Sequence, residues 1–434
     1  MNAVVMGVIA MLILSLARMN VILSIFIGTI IAGLSGGMAL TTTLEAFTEG
    51  MGNSAGIAMS YALLGAFAAA LSYSGVPGLL AEKLAGTLRN NSRKTKGILL
   101  LSILLMAIAS QNIIPVHIAF IPILIPPLLA TFSQLQLDRR IISSALVFGL
   151  CGTYLVVPFG FGNIYLNQIL AGNLETNGLT INHRLLPLVM AIPVSGMLVG
   201  LLFALFVTYR KKRTYDIIDT TPNVSTNHPA CGHYKMVLGI ITVALLVQIV
   251  TESIMLGALS GFLLLLLAGV VHWQKADSVF IDGIKMMAFA GFVMMAASGF
   301  GEVLRHTGDI PELVLLTQEL FSDSKAIAAL VMLLVGLLIT MGIGSSFSTI
   351  PIIATIFVPL SLQLGFSPIA TAVLLGTAGA LGDAGSPASE SAIGPTMGLN
   401  MDGQHDHIRD TVIPTFLHFN IPMVLFGWAA AMLL

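Results

Sequence analysis

Apolar positions fall in long runs along this chain, and the polar positions between them recur in the same order twice. In the first half the runs fall near 4–16, 20–39, 56–74, 97–109, 116–133, 141–157 and 185–207. In the second they fall near 236–251, 254–272, 284–304, 326–343, 352–364, 369–381 and 411–434. A membrane crossing takes roughly 20 apolar residues, so these runs predict helices that enter a bilayer. Two stretches are amphipathic instead. Val76, Leu79, Leu80, Leu84 and Leu88 recur at helical spacing among Glu82, Lys83 and Arg89, which predicts a helix lying in the interface. The stretch 310–322 occupies the matching place in the second half.

Four polar interruptions break the apolar pattern. Ser110-Gln111-Asn112-Ile113-Ile114-Pro115 and Ser346-Phe347-Ser348-Thr349-Ile350-Pro351 both read S-x-x-x-I-P. Each is followed by a second break, Pro158 to Asn163 in one half and Gly382 to Ser391 in the other. Smaller landmarks recur too: Phe120-Ile121-Pro122 with Phe357-Val358-Pro359, and Gly149/Gly152 with Gly376/Gly379. The chain therefore reads as a first membrane repeat, 1–209, a polar linker, 210–235, and a second repeat, 236–434. Arg210-Lys211-Lys212-Arg213 opens the linker.

Composition and charge sharpen this. The 434 residues are 56% hydrophobic and 9% charged, against roughly 25% charged in soluble domains. No basic patch carries interleaved aromatics, which sets nucleic acid aside as a partner. The two cysteines, Cys151 and Cys231, make no disulfide framework. Residues 1–16 have neither a basic leader nor a small-residue cleavage pattern, so they read as an uncleaved first helix. If the two tips are hairpins that enter and leave on one side, each half makes five crossings and the halves are inverted. All of the 19 Lys and Arg residues except Arg184, Arg305 and Lys325 then fall inside, as the positive-inside rule requires. Full crossings at the tips would put 83–96 and 139–140 on opposite faces. The predicted fold class is an all-α polytopic membrane protein of two inverted repeats, each with a re-entrant hairpin and a broken transmembrane helix. Both termini are predicted to be non-cytoplasmic, with membrane lipid as the surroundings.

A helix broken at membrane depth frees backbone groups that hydrocarbon cannot satisfy, so such breaks survive where they are buried in protein or line a wet cavity. Bared carbonyls with hydroxyl and amide oxygens suit Na⁺, and half-helix N-termini suit an anionic group. The four interruptions thus predict the site of a secondary transporter for a small ion or solute. Asp383 and Glu390 are the only carboxylates in either break, and a charge at that depth costs at least about 2.5–3.5 kcal/mol unless compensated. His117, two residues past the first tip, reads equally as a structural partner of freed backbone or as a proton-coupling group; Ile353 holds the matching place. Glu302 reads as a solvated helix end. An intramembrane enzyme is disfavoured: Ala380-Leu381-Gly382-Asp383 lacks the G-x-G-D run, and Ser386 and Ser389 have no evident His partner in that repeat. No cofactor is implied, and no metal beyond a transported Na⁺; the pair His405 and His407 lacks other soft ligands nearby.

The paired tips, paired breaks and inverted order resemble the ion transporter superfamily, and within it bacterial Na⁺/H⁺ antiporter family proteins related to the NhaC type. The run from Gly376 to Pro387 into Ser389-Glu390-Ser391 carries the resemblance most specifically. It implies ion and substrate sites at Ser110, Asn112, Gly160 and Asn163 in one half. In the other half it implies Ser346, Ser348, Thr349, Asp383, Ser386, Ser389 and Glu390. The function it implies is Na⁺/H⁺ antiport by alternating access, and the place it implies is a bacterial plasma (inner) membrane. Relatives of this architecture also carry dicarboxylates or amino acids, so Na⁺- or H⁺-coupled uptake of a small organic solute such as an amino acid is the alternative. Dimers are common there, and a homodimer is expected by that analogy.

Overall fold

The computed structural model describes residues 2–17, 19–76, 79, 93–112, 121, 124–216, 234–251, 253–321 and 324–434. His117, most of the amphipathic stretch 76–92, and 217–233 of the linker lie outside them.

The first half opens with α1 (Ala3–Leu16) and α2 (Val21–Ser35), each started by an asparagine whose side-chain oxygen accepts first-turn amides, as N-caps do. Next come α3 (Leu40–Asn53), α4 (Ala55–Tyr73) and α5 (Arg93–Asn112). Then α6 (Arg139–Val147) leads into the first break, followed by α7 (Leu186–Phe203). The second half holds α8 (Tyr234–Thr251), α9 (Ile254–Leu267), α10 (Trp273–His306) and α11 (Ile310–Phe321). It continues with α12 (Lys325–Ile343), α13 (Ser346–Gln363), α14 (Pro368–Ala380), α15 (Glu390–Leu399) and α16 (Ile421–Leu433). The protein is all-helical and polytopic. Among the described residues eight helices are long and apolar enough to cross a membrane.

Three differences from the sequence reading stand out. Residues 40–53 form a helix where a loop is expected. Thr43, Ala46, Phe47 and Gly50 are buried at helical spacing; Phe47 and Gly50 pack on α10 and Thr43 on Gly33 of α2, while polar residues on the opposite face hide the helix from an apolar-run search. In the second half α10 runs unbroken over 34 residues, where an apolar run begins only near 284. Its first turns carry Lys275, Asp277, Asp282 and Lys285. Glu302 is not a free solvated end: it is half-buried and paired with Arg305 and His306.

The packing has a matched pattern. α1 pairs with α2 and α8 with α9; α10 lies on α2 and α4 on α9; α4 lies on α10, and α7 on α16. Where α4 meets α10, a Cβ on Gly65 would stand 2.2 Å from the Gly283 carbonyl oxygen, so small residues let the two backbones touch. Left-handed backbone positions recur in chain order as well. Gly37, Gly75, Gln136, Gly160 and Gly178 have positive φ in the first half, and Gly269, Gly308, Gly344, Gly365, Gly382 and Gly403 in the second, where Gly344 has no counterpart among the described residues. Gly75 and Gly308 each stand two residues past the end of a helix, at Tyr73 and at His306.

The tips seat against the breaks. α12 ends at Ile343, Gly344 turns at φ 78°, and Ser345 is extended before α13 starts. A Cβ on Gly344 would lie 2.8 Å from the Ala388 carbonyl in the second break. In the first half Gly160 turns at φ 58°, and its Cβ would lie 2.3 Å from the Asn112 carbonyl at the first tip. Both positions need the left-handed backbone and the missing side chain together.

Candidate functional site

The second break is built from its glycines. α14 stops when Leu381 turns extended, and Gly382 follows at φ 89°. A short turn carries Asp383 to Gly385, and Ser389 then caps α15, accepting from the Ser391 amide. This detour faces Asp383 inward, where it is 5% exposed. Asn420 holds the detour from behind, its side-chain oxygen accepting the Gly382 N–H at 2.8 Å.

Donors surround the Asp383 carboxylate. Ser389 donates to Oδ1 at 2.5 Å; Tyr154 donates to Oδ2 at 2.7 Å and Ser346 to Oδ2 at 3.2 Å, with the Cys151 thiol 3.8 Å away. The Tyr154 and Ser346 hydroxyls are 2.7 Å apart. Cys151 comes from the widened turn Phe148–Gly152 and Tyr154 from the helical residues just after it, Ser346 from the second tip, and Ser389 from the second break. One carboxylate therefore ties both halves of the chain together. A hydroxyl that donates its proton here keeps lone pairs for a cation.

Beside Asp383 lies a cavity of about 60 Å³, walled by Tyr61, Phe161, Phe289 and Phe347 and bearing Glu390 and Gln111. Glu390 is an exposed residue on its lining and makes no hydrogen bond or ion pair to another described residue. Gln111 is 3% exposed, and its Oε1 has no partner.

The structure thus gathers Asp383, Ser389 and Ser346, and sets Glu390 in the adjoining cavity. The other expected residues lie elsewhere. Ser110 donates to the Ala107 carbonyl, and Asn112 donates to Thr153 at 2.6 Å. Asn163 accepts from Asn167, and Gly160 serves the seat of the first tip. Ser348 reaches toward the Ser345 hydroxyl, and Thr349 bonds the Ser345 carbonyl inside its own helix. Ser386 pins the break to α12 through the Met341 carbonyl at 3.1 Å. Tyr154, Tyr61 and Asn420 escape a reading by polar interruptions, because each sits singly in an apolar or aromatic run; Gln111 lies inside the first tip, between Ser110 and Asn112.

A second polar cluster joins α6 to the chain that follows α15. Arg139, fully buried, grips Asp402 with two bonds at 2.6 and 2.5 Å and also donates to the Leu399 carbonyl. Burial pushes Asp402 up, but the Arg139 bond and charge outweigh it and hold the carboxyl below its ordinary range. Arg213 reaches Asp410 at 2.7 Å. His405 and His407 are structural here: His405 faces Thr411, and His407 links Thr396 to the Pro387 carbonyl of the second break. Burial pushes His405 down to about 4, with Arg139 and Arg213 adding to it and Asp410 and Asp138 opposing. The folded protein holds this ring neutral, so its contribution is full above the ordinary value of 6.5 and is lost as pH falls through about 4. The thermal midpoint of the wild type in detergent is expected to drop more steeply than that of His405→Gln between those limits. Parallel pH profiles of the two proteins would rule this out.

Matches to known proteins extend over the whole chain. Residues 145–428 match the model of the Na⁺/H⁺ antiporter family, and residues 2–88 match a second Na⁺-H⁺ antiporter family model. An uncharacterized membrane protein of Vibrio parahaemolyticus is 52% identical over 442 residues, covering 100% of both chains. The putative amino acid transporter YuiF of Bacillus subtilis is 47% identical, again with 100% of each chain covered. The fold is similar to the crystal structure of the Alcanivorax borkumensis YdaH transporter, with a TM-score of 0.60 at 15% identity, over 91% of this chain and 89% of that one.

Proposed function

Because the chain belongs to the Na⁺/H⁺ antiporter family, we propose that it is a secondary active transporter exchanging Na⁺ for H⁺ by alternating access, with Asp383 as the carboxylate both ions share. The observation that carries this is the buried Asp383 with hydroxyls of Ser389, Ser346 and Tyr154 around it. An ionised Asp383 together with Ser389 and Ser346 oxygens offers Na⁺ hard ligands; a proton on the same carboxylate removes the charge that holds Na⁺. Each ion then excludes the other, and exchange follows if the carboxylate meets the two sides of the membrane in turn. Within the family we place the chain near the NhaC type, on the run from Gly376 to Ser391. Bacterial inner-membrane placement belongs to the same reading.

The inverted repeat and its two re-entrant hairpins are part of this proposal. The matched helix pairs, the recurring left-handed positions and the seating of each tip against its own break support them. Single cysteines in 83–96 and 211–228 are expected to react with impermeant reagent from the cytoplasmic side, and those in 40–55 and 309–323 from outside. Labelling of 83–96 and 139–140 from opposite faces would end the hairpin topology.

The cavity favours a second reading, Na⁺- or H⁺-coupled uptake of a small organic solute. Pure exchange has no use for an aromatic-walled space next to the ion site, and the relative YuiF is named a putative amino acid transporter. Proteoliposomes under imposed Na⁺ and pH gradients separate the two. Antiport gives a Na⁺-driven lumenal pH change without solute, and coupled uptake gives accumulation of a solute only when Na⁺ or H⁺ is supplied.

A further inference from the structure

Two carboxylates adjoin the cavity, and their surroundings differ. Asp383 is enclosed by donors, whereas Glu390, on the first turn of α15, has no bonded partner among the described residues. Gln111 presents a second acceptor to the same space, a buried oxygen without a hydrogen bond. A buried acceptor left unpaired costs about 1–3 kcal/mol, so an incoming donor gains from meeting it. Tyr61, Phe161 and Phe347 pack edge to face on one another, with centroids 5.4, 6.2 and 6.0 Å apart, and line the cavity. Ring faces attract cations, ammonium groups included.

The opposite polarity enters from α13. Its N-terminus opens into the cavity, with Gly344, Ser345 and Phe347 on the wall. No side chain caps its first turn. The first amides of a helix lack intrahelical acceptors, and their dipole favours a carboxylate. Among the described lining residues no Lys, Arg or His is present to hold a second anionic group.

We propose that the cavity is a zwitterion site, in which Glu390 and the Gln111 amide oxygen receive the ammonium group of a small amino acid and the first turn of α13 receives its carboxylate. This rests on the transporter reading above and divides the labour within it: Asp383 serves the ion, Glu390 the solute. Size narrows the class. A water needs roughly 10–15 Å³ of such space, so the 60 Å³ cavity takes a solute near the size of glycine or alanine. A dicarboxylate of equal size is disfavoured: with the coupled cation on Asp383, its second anion would still face the uncompensated Glu390.

The test is ligand-induced thermal stabilisation of the full-length purified protein in Na⁺, with L-alanine, propylamine, propionate and oxalate as probes of similar size. L-Alanine is expected to stabilise most, propylamine less, and propionate and oxalate not at all. Glu390→Gln is expected to weaken the L-alanine response at least tenfold in half-saturating concentration, and Gln111→Leu to weaken it less. A response to oxalate or propionate equal to that for L-alanine, or no response to L-alanine, overturns the proposal. So does an unchanged L-alanine response in Glu390→Gln protein that unfolds at the wild-type midpoint. Na⁺ stabilisation measured without solute reports separately on Asp383. Its presence alongside a failed probe series sinks the zwitterion site alone; its absence alongside a positive series sinks the ion reading alone.

Discussion

Asp383→Asn is expected to abolish Na⁺-dependent proton exchange at every pH. The amide keeps the shape of the carboxylate, and its oxygen still accepts from either Ser389 or Tyr154, whose bonds to Asp383 are 2.5 and 2.7 Å. The protein should therefore fold. The variant carries no negative charge to hold Na⁺ and no acid to release a proton, so both halves of the exchange are lost together. Asp383→Glu should retain part of the activity with a displaced pH profile, because the longer arm carries the charge away from Ser389 and Ser346. Exchange by Asp383→Asn near the wild-type rate would move coupling to another group, with Glu390 and then His117 next in order.

The second large effect concerns stability. Arg139 and Asp402 form a bidentate pair with side chains 0% and 2% exposed. Removing one partner strands a buried charge, which costs about 3–5 kcal/mol. Arg139→Met is expected to lower the unfolding midpoint in detergent severely, and Asp402→Asn to lower it by a comparable amount. The double variant Arg139→Met with Asp402→Leu should recover much of the loss, since an apolar pair of similar volume removes the stranded charge. A double variant as unstable as the sum of the singles would mean that the remaining Arg139 contacts, to the Leu399 carbonyl and over the Tyr215 ring, carry the effect.

The sequence exposes those features that contradict their surroundings. Asp383, Ser389 and Ser346 are polar residues inside apolar runs, and a polar group at membrane depth needs a partner, so the break and the second tip are legible before any coordinates. Tyr154 and Tyr61 do not contradict theirs: a tyrosine in a helix packs as well as a phenylalanine, and only the three-dimensional approach to Asp383 reveals what its hydroxyl meets. Gln111 lies within the first tip but between two residues that match the expected ligands better. α3 is hidden because its apolar stripe is interleaved with Thr and Glu. Arg139 and Arg140 read from the sequence as loop charges that set orientation; Arg139 is instead buried against a partner 263 residues away, a distance at which no local pattern operates. Ser348, Thr349 and Asn163 show the converse, polar residues at breaks that spend their hydrogen bonds on nearby chain.

The claim that Na⁺ and H⁺ share Asp383 is tested most directly by calorimetry of Na⁺ binding to the purified protein in two buffers of different ionisation enthalpy. Competition for one carboxylate predicts about one proton released per Na⁺ bound when Na⁺ meets the protonated site, with the release vanishing as pH rises above the titration range of that site. Asp383→Asn should show neither binding nor release. Na⁺ binding to the wild type with no proton release at any pH, or release that persists in Asp383→Asn, would contradict the account.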